Sequence, residues 1–162
     1  MTDLFLRSIE PLNLNQAKLL LEECSKSLFK LFNMSPACMS LTTSNRSFVK
    51  VNKKFLEVFG FTESEVIGKN SLEIGILDEE EMAYVSNLLN KNGKLENDIV
   101  KCITKQGKAV YTISSIEYIE IAGQIYLMSS FLDVSNFIDK EDILQKRNLI
   151  AKSRWFPPLM VN

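Results

Sequence analysis

The chain has 162 residues, 46% apolar and 24% charged, an ordinary globular composition with room for one domain and a helical extension. Its 19 basic and 20 acidic residues leave a net charge of −1, which argues against a dedicated nucleic-acid binder with its basic patch. Histidine is absent, which removes the commonest general base and metal ligand, the usual proximal haem ligand and every Ser-His or Cys-His nucleophile pair.

Residues 1–7 carry an acid at position 3 and then only three apolar residues, unlike a signal peptide. No window approaches the roughly 18 uninterrupted apolar residues of a membrane span. The chain therefore reads as cytoplasmic, with no membrane span. Residues 14–32 read as a helix with Asn13 as its cap. Leu14, Ala17, Leu21, Cys24, Leu28 and Leu31 recur at spacings of 3 and 4, the seam of a coiled coil, and this seam is the candidate homodimer interface. Cys24, Cys38 and Cys102 are too widely spaced for a zinc or C-x-x-C redox motif and read as free thiols.

Residues 37–42 and 47–51 form two short β-type runs around a polar turn, with Asn45 suited to its positive-φ position. A short helix over 52–59 closes at Gly60, and Thr62 with Glu65 makes a capping box for one more turn. Asp78 caps a helix whose first turn carries Glu79, Glu80 and Glu81, read as a solvated, dipole-compatible face. Met82, Val85, Leu88 and Leu89 supply its apolar stripe, and Asn92-Gly93 ends it. Residues 95–104, 108–121 and 124–134 are rich in Ile, Val, Tyr, Thr and Ser and predict an antiparallel meander. Ser135 caps a last helix over about 136–152, and an apolar tail follows from Trp155. The order of elements is α+β, with one antiparallel sheet and helices on one face.

Three ordered strings carry a family resemblance. Asn52-x-x-Phe55-x-x-x-Phe59-Gly60-Phe61-Thr62-Glu63-x-Glu65-Val66-Ile67-Gly68 resembles the signature of PAS domains of the sensor type found in bacterial signalling proteins. Lys105-Gln106-Gly107-Lys108 resembles the family's K-D-G turn, and Asp133-Val134-Ser135 resembles its D-I-T motif. The resemblance covers about residues 36–135. It implies a PAS fold with a five-stranded antiparallel sheet in the order 2-1-5-4-3 and flanking N-terminal and C-terminal helices. It also implies a division into an extension (1–35), the PAS domain (36–135) and a signalling helix with its tail (136–162). The expected role is that of a sensory or interaction module rather than an enzyme. Such a module would relay the binding of an unidentified small molecule or partner to an effector, namely a histidine kinase, cyclase or transcription factor. With no histidine, the phosphoacceptor of such a kinase lies outside this sequence. The alternative is a ligand-free module for dimerisation or docking.

Two departures argue against flavin photochemistry. Ser71 stands where flavin-binding members carry the adduct-forming Cys, and Phe131 stands where they carry a flavin-contacting Gln. His-ligated haem is argued against by the lack of histidine, so no cofactor is expected. Met39, Leu41, Met82, Val85, Ile99, Ile113, Ile125 and Phe131 are the candidate apolar lining of a ligand pocket, and a solid core built from the same residues is the competing reading. Of Ser114, Ser115, Ser129 and Ser130, strand alternation turns one of each pair inward, although burial tendencies favour an outer surface for them. Asp133 and Ser135 are the candidate couplers to the last helix, with Ser135 expected to cap the N–H groups of residues 137 and 138.

Overall fold

The computed structural model describes residues 14–137 together with Gln145. Nine elements follow in chain order: α1 (Leu14–Met34), β1 (Cys38–Thr43), β2 (Phe48–Val51), α2 (Lys53–Phe59), α3 (Glu63–Val66), α4 (Glu79–Asn92), β3 (Lys94–Ile103), β4 (Ala109–Ile121) and β5 (Gln124–Asp133). The strands form one antiparallel sheet in the order β2-β1-β5-β4-β3. The expected fold class is therefore the observed one. The expected helix over 136–152 falls outside the described residues except at 136, 137 and 145, as do residues 1–13 and the tail from Trp155.

Each boundary has a local cause. Asn52 caps α2 by accepting from the Phe55 N–H at 2.9 Å, and Gly60 ends it in the left-handed region at φ 77°. Asp78 caps α4 by accepting from the Glu81 N–H at 2.8 Å, and Gly93 closes that helix at φ 73°. In the β1–β2 turn the positive φ falls on Arg46 (70°) rather than on Asn45. The Asn45 side-chain oxygen instead accepts a hydrogen bond from the Thr43 hydroxyl, which fixes the first half of the turn.

The core lies between the sheet and α2–α4. Phe48, Phe55, Phe59, Val66, Val85, Leu88, Leu89, Val100 and Leu127 are among its buried side chains. Phe55 meets Phe48 edge-on at 5.5 Å between ring centroids and Phe59 at 4.8 Å. Glu81 departs from the expected solvated first turn. It is buried, and its Oε1 accepts from the Lys101 N–H at 2.7 Å, tying α4 to β3. A buried carboxylate needs such donors, and a backbone N–H on the neighbouring strand supplies one.

Candidate functional site

Sheet register decides which side chains reach the inner face. Ser40 pairs with Ser129 across β1–β5, and Ser129 pairs with Ile116 across β5–β4. Cys38 pairs with Phe131, which pairs in turn with Ser114. These rows face α2 and α4, and Cys38, Ser40, Thr42, Thr112, Ser114, Ile116, Leu127 and Ser129 are buried. Because side chains alternate, Met39, Leu41, Ser115, Met128 and Ser130 point to the opposite face.

On the inner face the helices leave a cavity of about 60 Å³. Its wall is largely apolar, built from Phe48, Phe55, Phe59, Ile76, Val85 and Leu89 among others. The polar groups on it are the hydroxyls of Ser40, Thr42, Ser71 and Ser129, together with the Arg46 guanidinium. Ser40 is 1% exposed, and its Oγ has no hydrogen-bond partner among the described residues. Arg46 is half-buried, with Nη1 donating to Ser86 Oγ at 2.5 Å and contacting Met82 Sδ at 3.0 Å on α4.

Of the eight expected lining residues, the structure brings Met82, Val85 and Phe131 to this cavity. Met39 and Leu41 belong instead to the outer face, because β1 turns Cys38, Ser40 and Thr42 inward. Ile99 and Ile113 pair with each other but alternate with the inward Val100, Thr112 and Ser114, so they too lie on the outer side. Ile125 sits near the end of the β4–β5 hairpin, 48% exposed, away from the cavity. The preferred surface placement of the serines is corrected for Ser114 and Ser129, which are buried on the inner face. Ser40, Thr42 and Arg46 were not anticipated. The matched rows of small polar residues on β1, β4 and β5 were the available signal for the first two.

At the end of β5, Asp133 Oδ1 accepts from the Ser135 N–H at 2.9 Å and from the Ser135 hydroxyl at 2.7 Å. Ser135 Oγ accepts from the Tyr111 N–H on β4 at 2.9 Å, and the Val134 N–H donates to Tyr111 O at 2.9 Å. Ser135 was expected to cap residues 137 and 138, but its oxygen is turned back onto β4, and the Phe137 N–H is taken by Val134 O at 2.8 Å. The two residues thus clip the exit of β5 to its neighbour, two residues beyond Phe131 on the cavity wall.

The outer face is apolar where α1 lies beside it. Leu28, Phe29, Leu31 and Phe32 of α1 line an open groove with Met39, Leu41 and Met128 of the sheet. Leu28 and Leu31 are 67% and 65% exposed, and Cys24 is exposed too. Leu14, Ala17 and Leu21 lie on the same helix. The Asn52 amide fastens the C-terminal end of α1, its Nδ2 donating to Phe32 O at 3.0 Å and to Ala37 O at 2.9 Å. Its Oδ1 accepts from the N–H groups of Met39 and Phe55, both at 2.9 Å.

Among the described residues no group of three or more His, Cys, Asp or Glu side chains could hold a metal ion, and no helix is long and apolar enough to cross a membrane. Burial pushes the Cys38 thiol up to about 12, which makes it a core residue rather than a nucleophile.

Comparison with known proteins agrees with this geometry. No curated protein matches the chain. The structure of the PAS domain of an HTR-like protein from Haloarcula marismortui is similar, with a TM-score of 0.59, 20% identity and coverage of 74% of this chain and 99% of that one. A PAS domain from a two-component sensor histidine kinase matches with a TM-score of 0.60, 12% identity and coverage of 70% and 98%. An RNA-binding light-oxygen-voltage receptor matches with a TM-score of 0.60 and 14% identity, over 93% of this chain but 43% of that one. The sequence profile of the PAS domain matches residues 36–136, more than half of the chain. With the 2-1-5-4-3 sheet and the Asn52, Gly60 and Asp133 motifs in place along it, the chain belongs to the PAS domain family.

Proposed function

We propose that this PAS domain is a non-catalytic sensory module in the cytoplasm. Its inner cavity binds a small molecule, and the Asp133–Ser135 clip relays occupancy to the segment after β5 and so to an effector such as a histidine kinase, cyclase or transcription factor. The observation that carries this reading is the buried Ser40 hydroxyl, left without a partner among the described residues on a largely apolar cavity wall. An unpaired buried hydroxyl costs about 1–3 kcal/mol, so a bound group that satisfies it would be stabilised there. Ser71 and Phe131 both line this cavity. Neither the thiol nor the amide of flavin photochemistry is therefore present at those two positions, in keeping with a ligand of another kind. The division into extension, PAS domain and C-terminal signalling segment belongs to the same proposal.

The test is thermal unfolding of the full chain against a panel of small metabolites, with Ser129→Phe as a cavity-filled control. A binding molecule raises the wild-type midpoint by several degrees and leaves the variant unmoved. A panel that shifts neither protein, or both alike, contradicts the reading.

One observation favours the second reading, a docking or dimerisation module. The exposed Leu28, Phe29 and Leu31 of α1 stand beside the half-buried Met39, Leu41 and Met128 of the outer sheet face. Exposed patches of this kind mark contacts, and a symmetric pair of identical chains is the commonest such contact. We propose that a second copy covers this face. A dimer and a ligand cavity occupy opposite faces of the sheet, so both roles can coexist.

A further inference from the structure

We propose that the cavity selects a short monocarboxylate of two or three carbons, with its carboxylate held by Arg46. The inference rests on the ligand-binding reading above and names the chemical class. Among the described residues, Arg46 is the only charged side chain on the cavity wall. Among the described residues it has no carboxylate partner. None of the ion pairs there includes Arg46. Its only protein acceptors there are a serine hydroxyl and a thioether sulfur, the latter a weak one, and both are met by Nη1. Nε and Nη2 thus keep donors in the planar fork that matches a carboxylate with two parallel hydrogen bonds.

The rest of the wall limits what that anion can be. A single cation neutralises a single negative charge, and a second carboxylate or a phosphate dianion would leave charge unpaired among Phe48, Phe55 and Ile76. An amine would meet Arg46 with like charge. A buried cavity of about 150 Å³ accepts benzene. The volume of about 60 Å³ here is less than half of that, which leaves room for the four or five heavy atoms of acetate or propionate and excludes an aromatic ring or a longer acid. The unpartnered Ser40 hydroxyl supplies one more hydrogen bond to an oxygen of the bound acid.

The experiment is an amide-resolved NMR titration of the full chain with sodium propionate at matched ionic strength. Propionamide serves as the uncharged isostere and xenon as an inert cavity probe, and the series is repeated for Arg46→Gln, Arg46→Lys and Ser40→Ala. Saturable shifts with propionate at residues 40–42 and 127–131 are expected. Binding at least tenfold weaker is expected for propionamide and for Arg46→Gln, with Arg46→Lys intermediate and Ser40→Ala weakened severalfold. The amide pattern of β3–β5 reports whether each variant is folded, and Ser40→Ala removes only an unpaired hydroxyl if Arg46→Gln fails to fold. Equal binding of acid and amide, or an Arg46→Gln variant that binds normally, overturns the carboxylate assignment and leaves the ligand site standing. Xenon entry without propionate binding does the same. Failure of both xenon and propionate to perturb the cavity residues removes the ligand site and the proposal together.

Discussion

Asn52 meets four backbone groups from three parts of the chain, which uses the full hydrogen-bonding capacity of its amide. Replacement by Ala would leave buried N–H and C=O groups unpaired at the C-terminal end of α1, the start of β1 and the first turn of α2. Asn52→Ala is expected to lower unfolding stability by about 3 kcal/mol or more in denaturant titration. A loss below about 1 kcal/mol would mean that these groups find other partners. Glu65 illustrates a weaker, exposed tie. The Lys105 ammonium at 2.6 Å, helped by the Thr62 backbone and hydroxyl donors, lowers its pKa from 4.5 to about 2. A lowered carboxylate pKa contributes stability that is complete above about 4.5 and is lost as pH falls through about 2. The Glu65 side-chain carboxyl resonance is therefore expected to titrate with a midpoint near 2, and Glu65→Gln to flatten that part of the acid unfolding profile. A midpoint at the ordinary value of 4.5 would show that the Lys105 tie does not form in solution.

At the scale of elements, the caps of α2 and α4 were legible, whereas the β1–β2 turn and the facing of the strands were not. Gly60, Gly93 and Asp78 act where their residue types predict. In β1, however, Met39 and Leu41 are the more apolar set, and hydrophobicity alone turns them inward. The helices cover the set holding Cys38, Ser40 and Thr42 instead, because pairing with Phe131, Ser129 and Leu127 on β5 locks the register. A sheet with apolar residues on both faces gives no alternation signal for choosing between them. Ser135 was legible as a motif residue but not in its aim, since the acceptor it offers to Tyr111 comes from a strand pairing distant in sequence. Its removal gives a test at the same scale. Ser135→Ala should raise amide exchange at Tyr111 and in residues 134–137, while Val100, Thr112 and Leu127 in the sheet centre keep their protection. Uniform change across the sheet would make Ser135 a general stability residue, and no change would leave the clip without a role.

For the whole molecule, the family and topology followed from three motifs in the right order. The cavity contents followed from register and from the turn that places Arg46, which single-residue patterns do not encode. The two faces of the sheet divide the work. One lines the cavity, and on the other the exposed Leu28–Leu31 surface of α1 is the proposed contact with a second copy. The double variant Leu28→Glu with Leu31→Glu is expected to convert a dimer to a monomer in sedimentation without loss of helical signal, whereas an unchanged mass would place the contact elsewhere. The proposed coupling of cavity occupancy to the exit of β5 requires the ligand to bind the docked and released states unequally. Hydrogen exchange of the full chain, titrated with the panel compound that stabilises wild type, tests it most directly. Exchange at residues 40–42 and 129–131 and exchange from residue 134 onward are expected to change with the same half-saturating concentration, and Ser135→Ala is expected to abolish only the second response. Saturation of the cavity residues with no accompanying change from residue 134 onward would contradict it.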